Sequence, residues 1–172
     1  MPVSEARISP MDRGFLFSDG VYEVITVCAG RIRAFSLHCQ RLKNSLDGIH
    51  LMVDATEIME QARRLLSASG LLDAKIYIQV TRGKVDVREH RFPNSVSPTV
   101  FLTICKFSHA QLEPCKAIVR PDIRWSLASI KSVSLLGNVL LQEEAYQAGA
   151  SEAILHRNGK VTEASTSNVF GI

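Results

Sequence analysis

Two residues in the C-terminal part of the sequence carry side chains whose chemistry could be combined. Lys131 lies between an irregular segment that contains Trp125 and a predicted helix, and Glu163 follows in a polar segment. A lysine amine can form a Schiff base with an aldehyde, and a carboxylate can keep a pyridine nitrogen protonated. These are the groups that pyridoxal phosphate (PLP) requires of a protein. A lysine just before a helix is nevertheless more commonly a solvated charge.

Four further residues could bind anions. Arg41 is predicted on a helix, where an arginine is either exposed or offers its planar donor fork to a phosphate. Tyr22, Arg88 and His90 supply donors that could together fix a carboxylate. The alternative for Arg88 and His90 is a charged surface loop. Spacing alone favours that alternative.

Length, composition and net charge limit the class of protein and the partners that can be expected. The 172 residues are 46% apolar and 22% charged, which is ordinary for a folded protein. This length can bury one core, or one domain and the beginning of another. The net charge of +3 is small and dispersed along the chain, so nucleic acid and membrane are not expected as partners. A small anionic ligand suits this charge.

The cysteines indicate a reducing compartment. Cys28, Cys39, Cys105 and Cys115 form no Cys-x-x-Cys pair, so we interpret them as thiols rather than as disulfides or metal ligands, and predict no metal. No cationic and apolar leader opens the chain, and no apolar stretch approaches the length of a membrane span. We therefore expect a cytoplasmic protein.

The first half of the sequence predicts a sheet with two helices. Strands are predicted at 21–28, 31–35, 74–81 and 99–106, with a turn at Ala29 and Gly30 and with 116–119 as a further companion strand. Ser36 is expected to cap a helix that stops at Gly48, and Asp54 a second helix that stops at Gly70. Residues 82–98 are predicted to form a long surface loop.

The second half predicts a linker followed by a new unit. Residues 122–133 show no clean period, and helical spacing of apolar residues follows from 134 to 148. Strands are expected at 152–155, 160–162 and 168–171, with a hairpin turn at Asn158 and Gly159. We predict an α+β or α/β protein with an N-terminal domain at 1–121, a linker with Lys131 at 122–133, and the start of a second domain at 134–172.

Several segments together resemble one family. Residues 9–24, 37–42, 149–155 and 161–171 are similar, in the same order, to the class IV aminotransferases. Within that family, 79–83 followed by Arg88 and His90, then by Phe92 and Pro93, and later by 122–125 resembles the D-amino-acid branch. The branched-chain aminotransferases and aminodeoxychorismate lyases share the lysine and the glutamate, but generally not this Arg-x-His loop.

The resemblance implies a fold, a cofactor and roles. The fold is the two-domain class IV aminotransferase fold, and the cofactor is PLP. Lys131 would form the Schiff base and carry the proton, and Glu163 would bind the pyridinium nitrogen. Arg41 would bind the phosphate. The remaining assignments are cofactor contacts by Ser167 and Asn168, and recognition of the substrate α-carboxylate by Tyr22, Arg88 and His90. Glu23 is interpreted as structural, and Arg13 receives no role.

The implied activity is transamination between a D-amino acid similar to D-alanine and a 2-oxo acid, by a homodimer. Aminodeoxychorismate lyase and branched-chain aminotransferase remain alternatives with the same cofactor. Family members continue for roughly another hundred residues, so the N-terminal domain is expected to be complete and the C-terminal domain only begun. A non-catalytic remnant is therefore a further alternative. We expect the 172-residue chain alone to bind PLP weakly, to associate, and to have little transaminase activity.

Overall fold

The computed structural model describes residues 1–95, 97–108 and 113–171. The chain forms two compact units. The first contains Met1–His109 and Ser129–Val133, and the second contains Ala110–Ala128 and Ser134–Ile172. This division differs from the predicted domains, because the predicted linker 122–133 contributes to both units.

The first unit is an antiparallel sheet packed against two helices. Its elements are a short helix α1 (Arg13–Phe17), strands β1 (Gly20–Cys28) and β2 (Arg31–Ile32), helices α2 (Phe35–Gly48) and α3 (Ala55–Ser69), and strands β3 (Ala74–Thr81) and β4 (Thr99–Lys106). The strand order is β2-β1-β3-β4. The predicted strands 21–28, 74–81 and 99–106 are confirmed.

Alternation along the strands decides which residues form the core. Successive side chains of a strand point to opposite faces of the sheet. One face of β1 and β3 is therefore wholly buried and packs with α2 and α3. Its apolar members include Val21, Ile25, Val27, Ile76, Ile78 and Val80, which meet Leu42, Leu46, Ile58 and Met59 of the helices. Tyr22 and Tyr77 lie on the opposite face.

The two helices begin differently from each other. The Asp54 carboxylate accepts a hydrogen bond from the Thr56 amide at 2.8 Å, and Gly70 ends α3 in a left-handed conformation, which confirms both predicted limits. The prediction that Ser36 caps α2 is wrong. This helix begins at Phe35, directly after Ala34 with φ 49°, and has no side-chain cap. That left-handed turn also shortens the predicted strand 31–35 to two residues.

The second unit contains a three-stranded sheet and one helix. Its elements are β5 (Ala117–Pro121), α4 (Leu136–Gln147), β6 (Glu152–Arg157) and β7 (Lys160–Ala164), in the order β5-β6-β7. Strand β5 runs parallel to β6, as a strand–helix–strand crossover allows. The expectation that 116–119 joins the first sheet is therefore wrong.

Two further details concern the ends of this sheet. Asn158 and Gly159 have φ of 52° and 74°, which confirms the predicted tight turn between β6 and β7. The predicted strand 168–171 is not formed. A strand needs a hydrogen-bonded neighbour, and no segment in the described ranges pairs with these residues.

The mixed α+β class is confirmed by both units. Across residues 1–95, 97–108 and 113–171, no helix is both long and apolar enough to cross a membrane. Within the same ranges, no cluster of histidine, cysteine or acidic side chains has the geometry of a metal site.

Candidate active site

The backbone of Lys131 is fixed by hydrogen bonds within the first unit. Its carbonyl accepts from the Tyr22 amide at 2.9 Å, and its own amide donates to the Ser45 hydroxyl of α2 at 3.1 Å. Two residues later the Val133 amide donates to the Gly20 carbonyl at 3.1 Å. Residues 131–133 therefore lie along the start of β1.

The side chain of Lys131 lies over an aromatic ring. Its Nζ is 4.2 Å from the centroid of the Tyr22 ring, and the residue is half-buried. A ring face attracts a cation but leaves the nitrogen lone pair available once the amine is neutral. Among the residues described, no carboxylate is within ion-pair distance of this amine. In the described residues, Lys131 is thus not committed to a salt bridge.

The Arg41 guanidinium is bound by a buried carboxylate of the sheet. Glu23 is fully buried on the core-facing side of β1, and both its oxygens accept from Arg41, at 2.6 Å each. The His38 ring nitrogen Nδ1 lies 2.8 Å from the same carboxylate. The Arg41 side chain remains 47% exposed. The guanidinium is therefore oriented by Glu23 while part of it still faces outward.

The charge state of Glu23 follows from these partners. Burial acts to raise its pKa, but the hydrogen bonds and charges of Arg41 and His38 outweigh burial, so that the pKa is lowered. A buried carboxylate is tolerated only when it is paired in this way. The interpretation of Glu23 as structural agrees with this geometry, although the sequence did not reveal its link to Arg41.

Arg88 and His90 belong to the first unit and pack against α1, whereas Lys131 lies beside β1. Both are exposed, and both contact the ring of Phe17, the last residue of α1. The His90 and Phe17 ring centroids are 5.0 Å apart, and the Arg88 guanidinium lies 4.7 Å from the Phe17 centroid. In the described part of the chain, no hydrogen bond or ring contact joins Arg88 or His90 to Tyr22. The three-residue carboxylate site stays a prediction.

In the second unit, Glu163 is bound by an arginine that sequence reasoning did not assign. Arg124 Nη1 donates to Glu163, while Nε and Nη2 donate to Asp122 at 3.0 Å each. The hydrogen bond from Arg124 is the main cause that holds the pKa of Asp122 well below its usual range. The Glu163 side chain is still 43% exposed. The only available signal was the segment 122–125 within the resemblance.

The polar segment after Glu163 is organised by a second missed residue, Glu152. This nearly buried carboxylate accepts from the amide and hydroxyl of Ser165, and from the Thr166 hydroxyl at 2.8 Å. Ser167 also hydrogen-bonds to it. Burial acts to raise the pKa of Glu152, but these hydrogen bonds lower it to about 2. Asn168 is exposed beyond this cluster.

Glu152 should therefore contribute a pH-dependent share of stability. Because its folded pKa lies below the ordinary value of 4.5, the contribution is complete above pH 4.5 and is lost as the pH falls toward 2. Glu152→Gln should lower the free energy of unfolding at neutral pH by on the order of 2 kcal/mol, with a smaller difference at pH 3. Urea unfolding at both pH values measures this. The exposed Glu143→Gln on α4 is the control, and an equal pH slope in both variants contradicts the prediction.

The fold is shared with solved transaminases. A fold IV-transaminase from Curtobacterium pusillum aligns with a TM-score of 0.83 and 21% identity, over 96% of this chain and 61% of that one. A hypothetical aminotransferase from Mycobacterium tuberculosis, solved in an alpha-ketoglutarate and PMP bound form, aligns with a TM-score of 0.81 and 20% identity, over 96% of this chain and 62% of that one. At such identities the likeness defines the fold alone, which is that of a class IV transaminase.

Sequence comparison extends this to the family. Residues 20–172 match the family model described as Amino-transferase class IV, and the chain belongs to this family. It is 39% identical over 174 residues to the D-alanine aminotransferase of Staphylococcus epidermidis strain RP62A, which covers 98% of this chain. The chain spans 61% of the length of that relative. The predicted resemblance is confirmed.

Proposed function

We propose that the protein acts in PLP-dependent transamination between a D-amino acid similar to D-alanine and a 2-oxo acid. Family membership supports the reaction class, and the similarity to a staphylococcal D-alanine aminotransferase supports the D-amino acid. The mycobacterial aminotransferase binds alpha-ketoglutarate, a 2-oxo acid, together with PMP, the aminated form of the cofactor. A cytoplasmic homodimer remains part of this proposal.

The side chains of the protein fit the cofactor. PLP presents an aldehyde, a phosphate and a pyridine nitrogen, which call for an amine, a guanidinium and a carboxylate. Lys131 supplies an amine without a carboxylate partner in the described ranges, and Arg41 supplies a guanidinium that is 47% exposed. Glu163 supplies a carboxylate that is 43% exposed. Ser167 and Asn168 are proposed as further hydrogen-bonding contacts.

The observation that carries the proposal is the placement of Lys131. A catalytic lysine must keep its backbone still while its amine moves between two positions. Hydrogen bonds to Tyr22 and Ser45 fix the backbone, and the amine lies over a ring instead of in an ion pair.

Each proposed residue performs a definite task in the reaction. When bound, the cofactor supplies an electron sink for the substrate α-carbon. Lys131 Nζ would take the proton from that carbon and deliver it to the cofactor carbon that carried the aldehyde, so that the amino group stays with the cofactor. Arg88 and His90 bind the substrate carboxylate, and the Arg41 guanidinium binds phosphate while Glu23 keeps it oriented. The Glu163 carboxylate holds a proton on the pyridine nitrogen.

The experiment is a comparison of amino donors. Because little activity is expected of the 172 residues alone, the purified protein is extended to the length of the relative of which it spans 61%. It is incubated with PLP and 2-oxoglutarate, and the 2-oxo acid formed from D-alanine, L-alanine or L-leucine is measured. We expect pyruvate from D-alanine at a rate at least tenfold above that from either L-amino acid, since about 1.4 kcal/mol of discrimination suffices for that ratio. Preference for L-leucine would favour a branched-chain aminotransferase. Turnover of none of the three would reject the proposal.

A further inference from the structure

A buried arginine of α1 binds the backbone of the segment that carries Arg88 and His90. Arg13 is only 3% exposed. Its Nη1 donates to the carbonyls of Glu89 at 2.6 Å and Arg91 at 3.3 Å, and its Nη2 donates to the carbonyl of His90 at 3.2 Å. Three consecutive carbonyls are therefore held by one guanidinium.

The guanidinium is itself fixed at its other edge. Arg13 Nε donates to Asp19 Oδ2 at 2.7 Å, and the Asp19 side chain is only 11% exposed. A buried guanidinium is stable only when its charge is paired and its donors are satisfied. Arginine suits this place because its five donors have a fixed planar geometry, whereas a lysine offers one compact ammonium group. The four contacts thus act as a single rigid connection.

The same short helix supports the two exposed side chains. The Phe17 ring lies 4.8 Å from the Arg13 guanidinium, 4.7 Å from that of Arg88, and 5.0 Å from the His90 ring. In this segment, Arg13 donates hydrogen bonds only to backbone carbonyls. The side-chain donors of Arg88 and His90 therefore remain available to a ligand. Within the described ranges, no carboxylate forms an ion pair with Arg88. Its guanidinium can therefore donate two parallel hydrogen bonds to an external carboxylate.

We propose that Arg13 is a positioning residue for carboxylate recognition: it holds the backbone at 89–91 so that Arg88 and His90 are presented together on Phe17. This inference rests on the carboxylate-binding role proposed for Arg88 and His90. Its physical basis is preorganisation, because a segment already ordered loses less conformational freedom when it binds an anion.

The chain offers a matched control in Arg82. This residue is also 3% exposed, and its Nε also donates to Asp19 Oδ2, at 2.8 Å. Its remaining donors, however, reach the carbonyls of Ile49 and His50 at the end of α2, not those of 89–91. Arg13→Lys and Arg82→Lys therefore disturb the same buried carboxylate, but only the first removes hydrogen bonds to the carbonyls of 89–91. In the described ranges, the one contact of Arg82 near this segment is with the ring of Phe92, whose centroid lies 3.7 Å from its guanidinium.

The first measurement follows the segment itself. Trypsin cleavage after Arg88 and Arg91 is followed by mass spectrometry for the wild type, Arg13→Lys and Arg82→Lys. Cleavage at these two sites should accelerate about tenfold in Arg13→Lys and stay within about twofold of the wild type in Arg82→Lys, as local opening without global unfolding predicts. Unchanged cleavage in Arg13→Lys would overturn the inference.

The second measurement follows recognition of the anion. D-lactate has the carboxylate of D-alanine but no amine, so it binds without reacting, and its affinity is read from the His90 ring resonances by NMR. The dissociation constant should rise about tenfold in Arg13→Lys, the effect of one well-placed hydrogen bond, and little in Arg82→Lys. Equal weakening in both variants would mean that Arg13 is merely structural and would overturn the inference.

The two measurements separate this inference from the proposed function. If the protein does not turn over D-alanine but D-lactate binding is weakened by Arg13→Lys alone, the reaction is rejected and the positioning role is supported. If D-alanine is turned over and D-lactate affinity is the same in the wild type and Arg13→Lys, the positioning role is rejected and the reaction stands.

Discussion

In the protein extended to the length of its relatives, replacing Lys131 with alanine is expected to abolish transamination, with a loss of several orders of magnitude in turnover of D-alanine. The amine of Lys131 is proposed both to attach to the cofactor and to move the proton, so one substitution removes both steps. The Tyr22 and Ser45 contacts use backbone atoms of Lys131 and should survive the change. The free energy of unfolding should therefore stay within about 0.5 kcal/mol of the wild type.

Labelling distinguishes this role from a general effect of losing a lysine. Borohydride reduction of the PLP-treated protein, followed by peptide mapping, should place a pyridoxyl group on Lys131. Lys75 is the matched control, because its Nζ lies 3.8 Å from the centroid of an aromatic ring, that of Phe107, and it also belongs to the first unit. Lys75→Ala should retain label and turnover. Label on another lysine, or full turnover of Lys131→Ala, would show that the assignment is wrong.

Replacing Asp19 with asparagine should have the largest effect on stability. The Asp19 carboxylate pairs with Arg13 and Arg82, whose side chains are 4% and 3% exposed. Without it, two buried guanidinium groups lose their counter-charge. Removing one partner of a buried ion pair typically costs about 3–5 kcal/mol, and we expect a loss of this size at neutral pH.

Urea unfolding at pH 7 measures this loss, and an exposed ion pair provides the comparison. Lys43 and Asp47 on α2 are 61% and 52% exposed and lie 2.6 Å apart. Asp47→Asn should change the free energy of unfolding by about 1 kcal/mol or less, because solvent screens such pairs. If Asp19→Asn and Asp47→Asn have similar effects, burial of the Asp19 cluster is not what stabilises this unit.

Sequence periodicity predicted the elements whose local pattern is complete. The alternation at 74–81 and the Asp54 cap each depend only on residues that are close in sequence, and the structure confirms both. Strand β5 was assigned to the wrong sheet because a short apolar run predicts a strand but not its partner. Its neighbour β6 is distant in sequence, and the helix between them allows the parallel pairing.

In the candidate site, too, the sequence predicted features that depend on local pattern but not those that depend on tertiary packing. Glu23 occupies a core-facing position between Val21 and Ile25, so its burial could be inferred from alternation. Its bonds to Arg41 depend on how α2 packs on the sheet, which the sequence does not specify. The pairing of Arg124 with Glu163 likewise joins residues 39 positions apart. Family resemblance identified such residues by type, but it could not supply their partners.

The hydrogen bond from the Tyr22 amide to the Lys131 carbonyl makes the amine's surroundings depend on strand alignment. Eight residue pairs between β1 and β3 fix that alignment. A single-residue insertion within β1 would turn its side chains over, so that the phenol would leave the amine and a core-facing residue would take its place. Engineers who lengthen this protein should therefore add residues at the β1–β2 turn, at Ala29 and Gly30, where an extra residue leaves this alignment intact.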